Sequence, residues 1–426
     1  LYTTEDARVC AIHLTGFGDL DPLPGAQRGY PTLHLLPVLG GIMHVLKSSL
    51  QAYAWGSRSF IHNLLSISEP EIIAEMWMGS HPQAPSTIDG QPLDALIASD
   101  PQKWLGSDYE VEKPALSYLL KVLAASEPLS IQVHPNLAQA VRGFAAENSR
   151  GIALNDPMRN YKDANHKPEL ILALTPFDAL CGIREYHQIA TILSTFQISP
   201  FYVNAAKFCQ NQDHDSFHAL FVEILAGAKP ELNKHLLLLD GTGEFGDELS
   251  SVRSLLHFYP NDPFVIAPCI MNLIHLRPSE AIYLAAGIPH AYLHGAGVEI
   301  MAASDNVLRA GLTPKYVDKQ ELLATVTLES YIPEIIRVPD IPNALHTYPT
   351  PVTDFQLSSG WVQGEMHLDP ECKPAIILCL KGALVLQTDS DALPLQRGES
   401  AIILPDDALL SVSGNARFVL AKSAKA

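Results

Sequence analysis

The sequence predicts a mainly β protein with a helical insert, and three observations carry that prediction. Short apolar runs broken by turn residues fill the stretch from about Met43 to Ile183. Between Glu185 and His257 the apolar spacing changes to the helical one. After Pro260 the strand signature returns, and from about Tyr331 short alternating runs separated by Gly, Pro and Asp turns continue to the end.

Taken in order, residues 1–42 carry scattered Gly and Pro without strong periodicity, as a leader, a tag or a poorly ordered extension would. Residues 43–184, resumed at 259–325, form the first β domain, which also holds a helical stretch from Leu137 to Ala146. Residues 185–258 form an all-helical domain: Tyr186, Ile189, Ile192 and Leu193 share one face, as do Phe217, Leu220, Phe221, Ile224 and Leu225. Residues 326–426 form a second β domain, with runs at Ile376–Leu380, Ala383–Gln387 and Ala401–Leu404. One internal echo links the two β domains. Glu280-Ala281-Ile282-Tyr283-Leu284 resembles Ser400-Ala401-Ile402-Ile403-Leu404, and each run leads into a second strand. Aligned on Ala281 and Ala401, His290 falls opposite Leu410, so the chain is expected to hold two related barrels, of which only the first kept a metal-binding side chain.

Bulk properties exclude several classes. A 426-residue chain supports two or three cores, and 47% hydrophobic with 17% charged residues is ordinary for a globular protein. A net charge of −18 disfavours nucleic acid and anionic membranes as partners, and obliges any anionic substrate to find a local cluster of cations. The six cysteines (Cys10, Cys181, Cys209, Cys269, Cys372 and Cys379) form no C-x-x-C pair, which points to reduced thiols in the cytoplasm rather than a disulfide framework. The apolar run from Leu33 to Leu46 is too short and too broken for a membrane span, and no basic segment precedes it. A small-molecule substrate and a monomer are the expectation.

The chemistry concentrates in three segments. Gln132 and His134 lie two residues apart among apolar neighbours, so on a strand they share one inward face. Burying both without partners would cost a few kcal/mol, and a metal ion is the most economical partner. Glu169 stands just before the apolar run Leu170–Leu174, and His290 sits on a turn at a strand edge. Taken singly, each is more often a satisfied core group than a ligand. Together, two imidazoles, a carboxylate and a carboxamide suit zinc or a related divalent ion.

A resemblance sharpens this reading. Tyr53-Ala54-Trp55-Gly56-Ser57, Ala74–Gly79, Leu129–Pro135, Asn165–Leu170, Pro289-His290-Ala291-Tyr292 and the run from Ser304 to Lys315 resemble, in order, the type I phosphomannose isomerase family. The likeness extends from about Met43 to the C-terminus. It implies two cupin-type β-barrels of jelly-roll form plus the helical domain, and zinc-dependent interconversion of mannose 6-phosphate and fructose 6-phosphate. It also implies one Zn2+ per chain held by Gln132, His134, Glu169 and His290, with Arg309 as the principal catalytic residue. The second barrel would carry no metal.

Physical chemistry agrees with that assignment. Aldose–ketose isomerisation moves a proton between C1 and C2 through an enediol or enediolate, and a Lewis acid on the sugar oxygens lowers that barrier. Arg309 stays charged and can stabilise the enediolate or the phosphate. Lys121, Lys315 and Arg309, with the Ser130 hydroxyl, are the phosphate candidates. Lys167, two residues before Glu169, and Glu299, alternating into an apolar run, compete as the proton-transfer base; either could instead form a structural ion pair. His166, Asp305 and Tyr292 are candidates for orienting ligands or substrate.

Other signals are set aside. Gly241-Thr242-Gly243-Glu244-Phe245-Gly246 matches a dinucleotide fingerprint, but the acidic turn and helical surroundings favour an inter-helix loop. His214 and His218 on a helix lack a third ligand, and Trp55 and Trp77 read as packing anchors rather than sugar platforms. Two rivals remain: an iron dioxygenase, which would favour two His and one carboxylate, and a non-catalytic sugar-phosphate-binding cupin.

Overall fold

A computed structural model describes residues 42–68, 71–107, 114–369, 371, 373–405 and 410–424. The expectation for residues 1–42 falls, apart from Ile42, outside the described residues. So do Cys10 and Cys372; the other four cysteines are free thiols.

Two antiparallel sheets dominate, one of eleven strands and one of seven, each organised around a 13-residue strand. In the first, His290–Ala302 lies between Glu169–Ala173 and Tyr118–Ala125, with Glu280–Leu284 beyond the former and Glu75–Met78 beyond the latter. In the second, Leu410–Lys422 lies between Ala375–Gln387 and Gln356–Leu368, with Ser400–Ile403 beyond Ala375–Gln387. The strand order is the same in both, so the sequence echo reflects a repeated architecture. Register refines it. His290 pairs with Cys181, and the corresponding rung of the second sheet pairs Val412 with Leu386. The counterpart of His290 is therefore Val412 rather than Leu410, because the connection after Ala401 is two residues longer. The place of Glu169 falls at Pro374. Neither replacement can ligate a metal.

Two boundaries differ from expectation. Met43–Leu46 pairs with Ser400–Ile403, so this first strand joins the C-terminal sheet, where Met43 packs into the barrel core. The runs Ile376–Leu380 and Ala383–Gln387 are one strand, Ala375–Gln387, interrupted by a bulge between Cys379 and Lys381. Gly382 makes the bulge possible. Its φ is +80°, and a Cβ there would stand 2.0 Å from the Asn415 carbonyl oxygen.

The helical segment contains Tyr186–Thr195, Val203–Asn211, His214–Ala226, Pro230–Leu238 and Gly246–Phe258. Ile189, Ile192, Leu193, Phe217, Leu220, Phe221, Ile224 and Leu225 pack into one core with Leu249, Val252 and Phe264. At about 1.5–3 kcal/mol per buried large apolar side chain, this shared core is what holds the short helices. The glycine fingerprint joins two of these helices. Leu236 lies in a helix rather than a strand, and Asp240 turns back onto the Thr242 N–H and hydroxyl, so no phosphate cradle forms. No helix among the described residues is long and apolar enough to cross a membrane.

Glu280 clamps the edge of the first sheet. Its carboxylate accepts from Arg277, within its own turn, and from Arg337, its cross-strand partner. The Arg277 hydrogen bond, against the opposing effect of burial, brings its pKa down to about 2 from an ordinary 4.5. A depressed folded pKa stabilises the fold above the unfolded value and loses that contribution as pH falls through the folded one. E280Q is expected to melt below the wild type at pH 7, with the gap closing between about pH 4.5 and 2 in thermal denaturation.

Candidate metal centre

The strand Ile131–Val133 runs between His290–Ala302 and Leu308–Gly311. Gln132 is in register with His290 on one side and with Arg309 on the other. Residues directly opposite across a sheet share a face, so carboxamide, imidazole and guanidinium form one row at strand spacings of about 4.8 Å. His134 follows that strand, and Glu169 opens the next.

His134, Glu169 and His290 converge, with donor atoms all within 4.8 Å of one another. Among the described residues no other group of three or more His, Cys, Asp or Glu does so. His134 Nε2 lies 3.3 Å from Glu169 Oε1, and His290 Nε2 lies 3.4 Å from Oε2. All three side chains are buried. Each imidazole turns its Nδ1 toward a backbone carbonyl, His134 to Asn306 at 2.8 Å and His290 to Ile288 at 3.0 Å. Those contacts place the ring proton on Nδ1 and leave Nε2 with a lone pair. Burial, with the Lys167 charge acting in the same sense, lowers the His134 pKa to about 4, so the ring is neutral near pH 7. Burial alone would raise the Glu169 carboxyl, but the Lys167 charge beside it acts the other way, and the carboxyl is held well below the usual range. Lone pairs therefore face lone pairs, and His134 Nε2 has no hydrogen-bond partner among the described residues. A divalent cation resolves that arrangement, and the donors fit zinc.

The loops are built to hold these rings. Asn306 is fully buried; its side chain accepts from Lys162 N–H at 2.7 Å and donates to the carbonyls of Asp163 and Asn165. Asp163 in turn accepts from Ser304 and from the Asp305 N–H. Gly287, at φ +81°, donates its N–H to the His134 carbonyl, which ties the His290 turn to the His134 loop.

Lys167 Nζ stands 3.1 Å from Glu169 Oε1, at the cluster's edge. Glu299 accepts from the Tyr292 hydroxyl at 2.8 Å and pairs with Lys121 at 3.2 Å. Burial first, then the Glu169 charge, raises the Glu299 pKa; burial and the Glu299 charge push the Tyr292 hydroxyl well above its ordinary range. Lys121 also faces Glu75 at 4.0 Å and lies 5.0 Å over the Trp77 ring. Burial opposes its charge, but Glu75 and Glu299 win and raise its pKa. With two carboxylates already on it, Lys121 is poorly placed to clamp a phosphate.

Arg309 is half-buried and meets no carboxylate among the described residues; burial lowers its pKa. Partial burial and then the Arg309 charge lower that of Lys315, which places the two cations near each other. Ser130 is half-buried just before the Gln132 strand. Asp305 receives His81 at 3.2 Å and Gln83 at 3.0 Å. His166 pairs with Asp354 at 3.0 Å. His214 faces Asp215 and Glu329 on the surface, without a third ligand.

Sequence reasoning missed Asn306, Asp163 and His81. The contacts that give them their roles, such as Asn306 with Asp163 and His81 with Asp305, span more than 140 residues of chain.

Residues 43–186 match the model of the catalytic domain of phosphomannose isomerase type I, and residues 344–423 that of the mannose-6-phosphate isomerase cupin domain. Mannose-6-phosphate isomerase of Escherichia coli K12 is 37% identical over 386 residues, covering 88% of this chain and 98% of its own. The chain belongs to the type I phosphomannose isomerase family. The human family member is 33% identical over 403 residues, covering 83% of this chain and 91% of its own. A crystal structure of the Salmonella typhimurium isomerase, bound to its substrate (f6p) and zinc, superposes with a TM-score of 0.82 at 36% identity. It covers 90% of this chain and 100% of that one. This phosphomannose isomerase fold thus carries a buried trio able to hold one metal ion.

Two zinc measurements check the reading. Metal analysis of the purified chain is expected to find one zinc, lost in H134A and E169Q. N306A, which removes the side-chain bonds that hold the loop whose Asn306 carbonyl receives the His134 ring, should weaken zinc affinity about 10–100-fold in a competition titration.

Proposed function

We propose that the protein is a zinc-dependent aldose–ketose isomerase that interconverts mannose 6-phosphate and fructose 6-phosphate. The observation that carries the reading is the row His290, Gln132 and Arg309, which sets an unpaired guanidinium beside a donor cluster that needs a cation. Gln132, His134, Glu169 and His290 are the ligands in this reading. A bound zinc ion would supply Lewis acidity toward the sugar's C1 and C2 oxygens.

The rest falls to side chains. Arg309 balances the negative charge of the enediolate, and Lys315 with Ser130 receives the phosphate. Proton transfer between C1 and C2 lies with Lys167 or Glu299. Glu299 has each oxygen engaged, by Tyr292 and by Lys121, whereas Lys167 reaches the cluster from one side only. That difference favours Lys167 as the mobile group and Glu299 as part of the fixed wall.

The trio alone would also suit an iron oxygenase. Family membership and Gln132 beside His290 favour the isomerase. Action in the cytoplasm as a monomer completes the proposal, and free thiols suit a reducing compartment.

A chelator-sensitive, zinc-restored conversion of fructose 6-phosphate to mannose 6-phosphate without oxygen is the expected result. A zinc-loaded chain that fails to convert either sugar removes the reading. R309M should lower kcat about 10²–10³-fold. In solvent deuterium, K167M should abolish label entry at C2 and E299Q should only slow it; the reverse order would exchange their roles.

A further inference from the structure

Asp305 is held as few surface carboxylates are. Its backbone N–H donates to Asp163 at 2.8 Å, Oδ1 faces His81 Nε2 at 3.2 Å, and Oδ2 accepts from the Gln83 amide at 3.0 Å. His81 is itself fixed. The Gln83 backbone N–H donates to its Nδ1 at 3.3 Å, so Nδ1 carries the lone pair and Nε2 the proton that points at Asp305. Its ring is buried and stands edge-on to Trp77 at 5.0 Å. Trp77 donates its indole N–H to Glu75 at 2.7 Å and lies under the Lys121 ammonium, so one indole contacts His81, Glu75 and Lys121. Asp305 also precedes Asn306, whose carbonyl receives the His134 proton. The carboxylate is therefore rigidly connected to the metal centre.

The clamp leaves something open. A carboxylate has about four acceptor positions, and these two side-chain contacts use one on each oxygen. The Asp305 side chain is 30% exposed, so its remaining acceptors face solvent. Two adjacent hydroxyls of a sugar chain are donors spaced to meet two oxygens of one carboxylate.

We propose that His81 is a positioning residue for the isomerase, which with Gln83 fixes the plane of Asp305 so that its free acceptors take hydroxyls of the open hexose chain. The proposal rests on the isomerase reading for its substrate. His81 acts only through Asp305 and touches no reacting atom. It therefore governs how tightly and in which orientation the sugar chain is held, rather than the proton transfer.

The test is a double-mutant cycle on the zinc-loaded protein, read by steady-state kinetics and by calorimetric binding of fructose 6-phosphate. H81L should raise KM and Kd about tenfold, keep kcat within about threefold, and retain one zinc per chain. H81Q, whose amide N–H reaches the same oxygen, should recover most of that loss. In a D305A background the H81L effect should shrink below about twofold. Unchanged affinity in H81L, or a full tenfold effect persisting without Asp305, overturns the proposal. Should H81L not fold, Q83L at the surface serves in the same cycle, with an expected loss of about threefold. A wild type that binds the sugar phosphate but does not isomerise it refutes the reaction, while Kd still decides the role of His81.

Discussion

The structure turns on one electrostatic conflict. Two imidazole lone pairs and an ionised carboxylate face one another within a buried space, and the imidazole protons are already engaged by backbone carbonyls. Acceptors that close repel one another, and burial leaves little solvent to screen them. A cation turns the repulsion into coordination. The carbonyls of Asn306 and Ile288 thus do more than orient rings. They choose the tautomer, and the tautomer makes the cluster a metal site instead of a hydrogen-bonded knot.

Charge is handled differently on each side of that cluster. Lys121, which is buried, and Lys167, which is partly so, are placed against carboxylates, and each opposes the effect of burial on its anionic partner. Arg309 and Lys315 are left without such partners, and Lys315 feels the Arg309 charge. In a chain of net charge −18, two adjacent unpaired cations mark where an anion is meant to sit. The wall carries matched pairs, and the opening carries the surplus.

Much of this was legible in the chain. Gln132 and His134 announced themselves because polar residues at i and i+2 in an apolar run need partners, and the helical segment showed its period plainly. The first strand and the Cys379 bulge were not legible, because sheet membership depends on pairing across more than 350 residues, as in Met43 with Ile403. Roles within the site divided in the same way. The need for cations in an acidic chain made Lys121 a phosphate candidate beside Arg309, yet only the cross-strand neighbours reveal that Glu75 and Glu299 already surround Lys121. His166 looked like a neighbour of Glu169 in sequence, but three residues along an irregular approach to a strand turned it toward Asp354.

The second barrel shows why ligands rather than architecture define the function. It repeats the strand order and the long central strand of the first, so the scaffold by itself offers the same rungs. At the rung of His290 it places Val412, and at the position of Glu169 it places Pro374, both buried. Apolar residues there remove the conflict of lone pairs, and with it any need for a metal. What remains is core packing, and the seam with the first sheet uses it: Tyr118 of the first sheet reaches across to the Ala421 carbonyl of the second at 2.9 Å. Ala421 and Tyr118 also share one apolar cluster with residues from both sheets. The duplicate barrel thus buttresses the strand that carries Lys121. A rigid wall beneath a metal site limits how far its ligands can relax apart, so the conflict is kept and the cation is required.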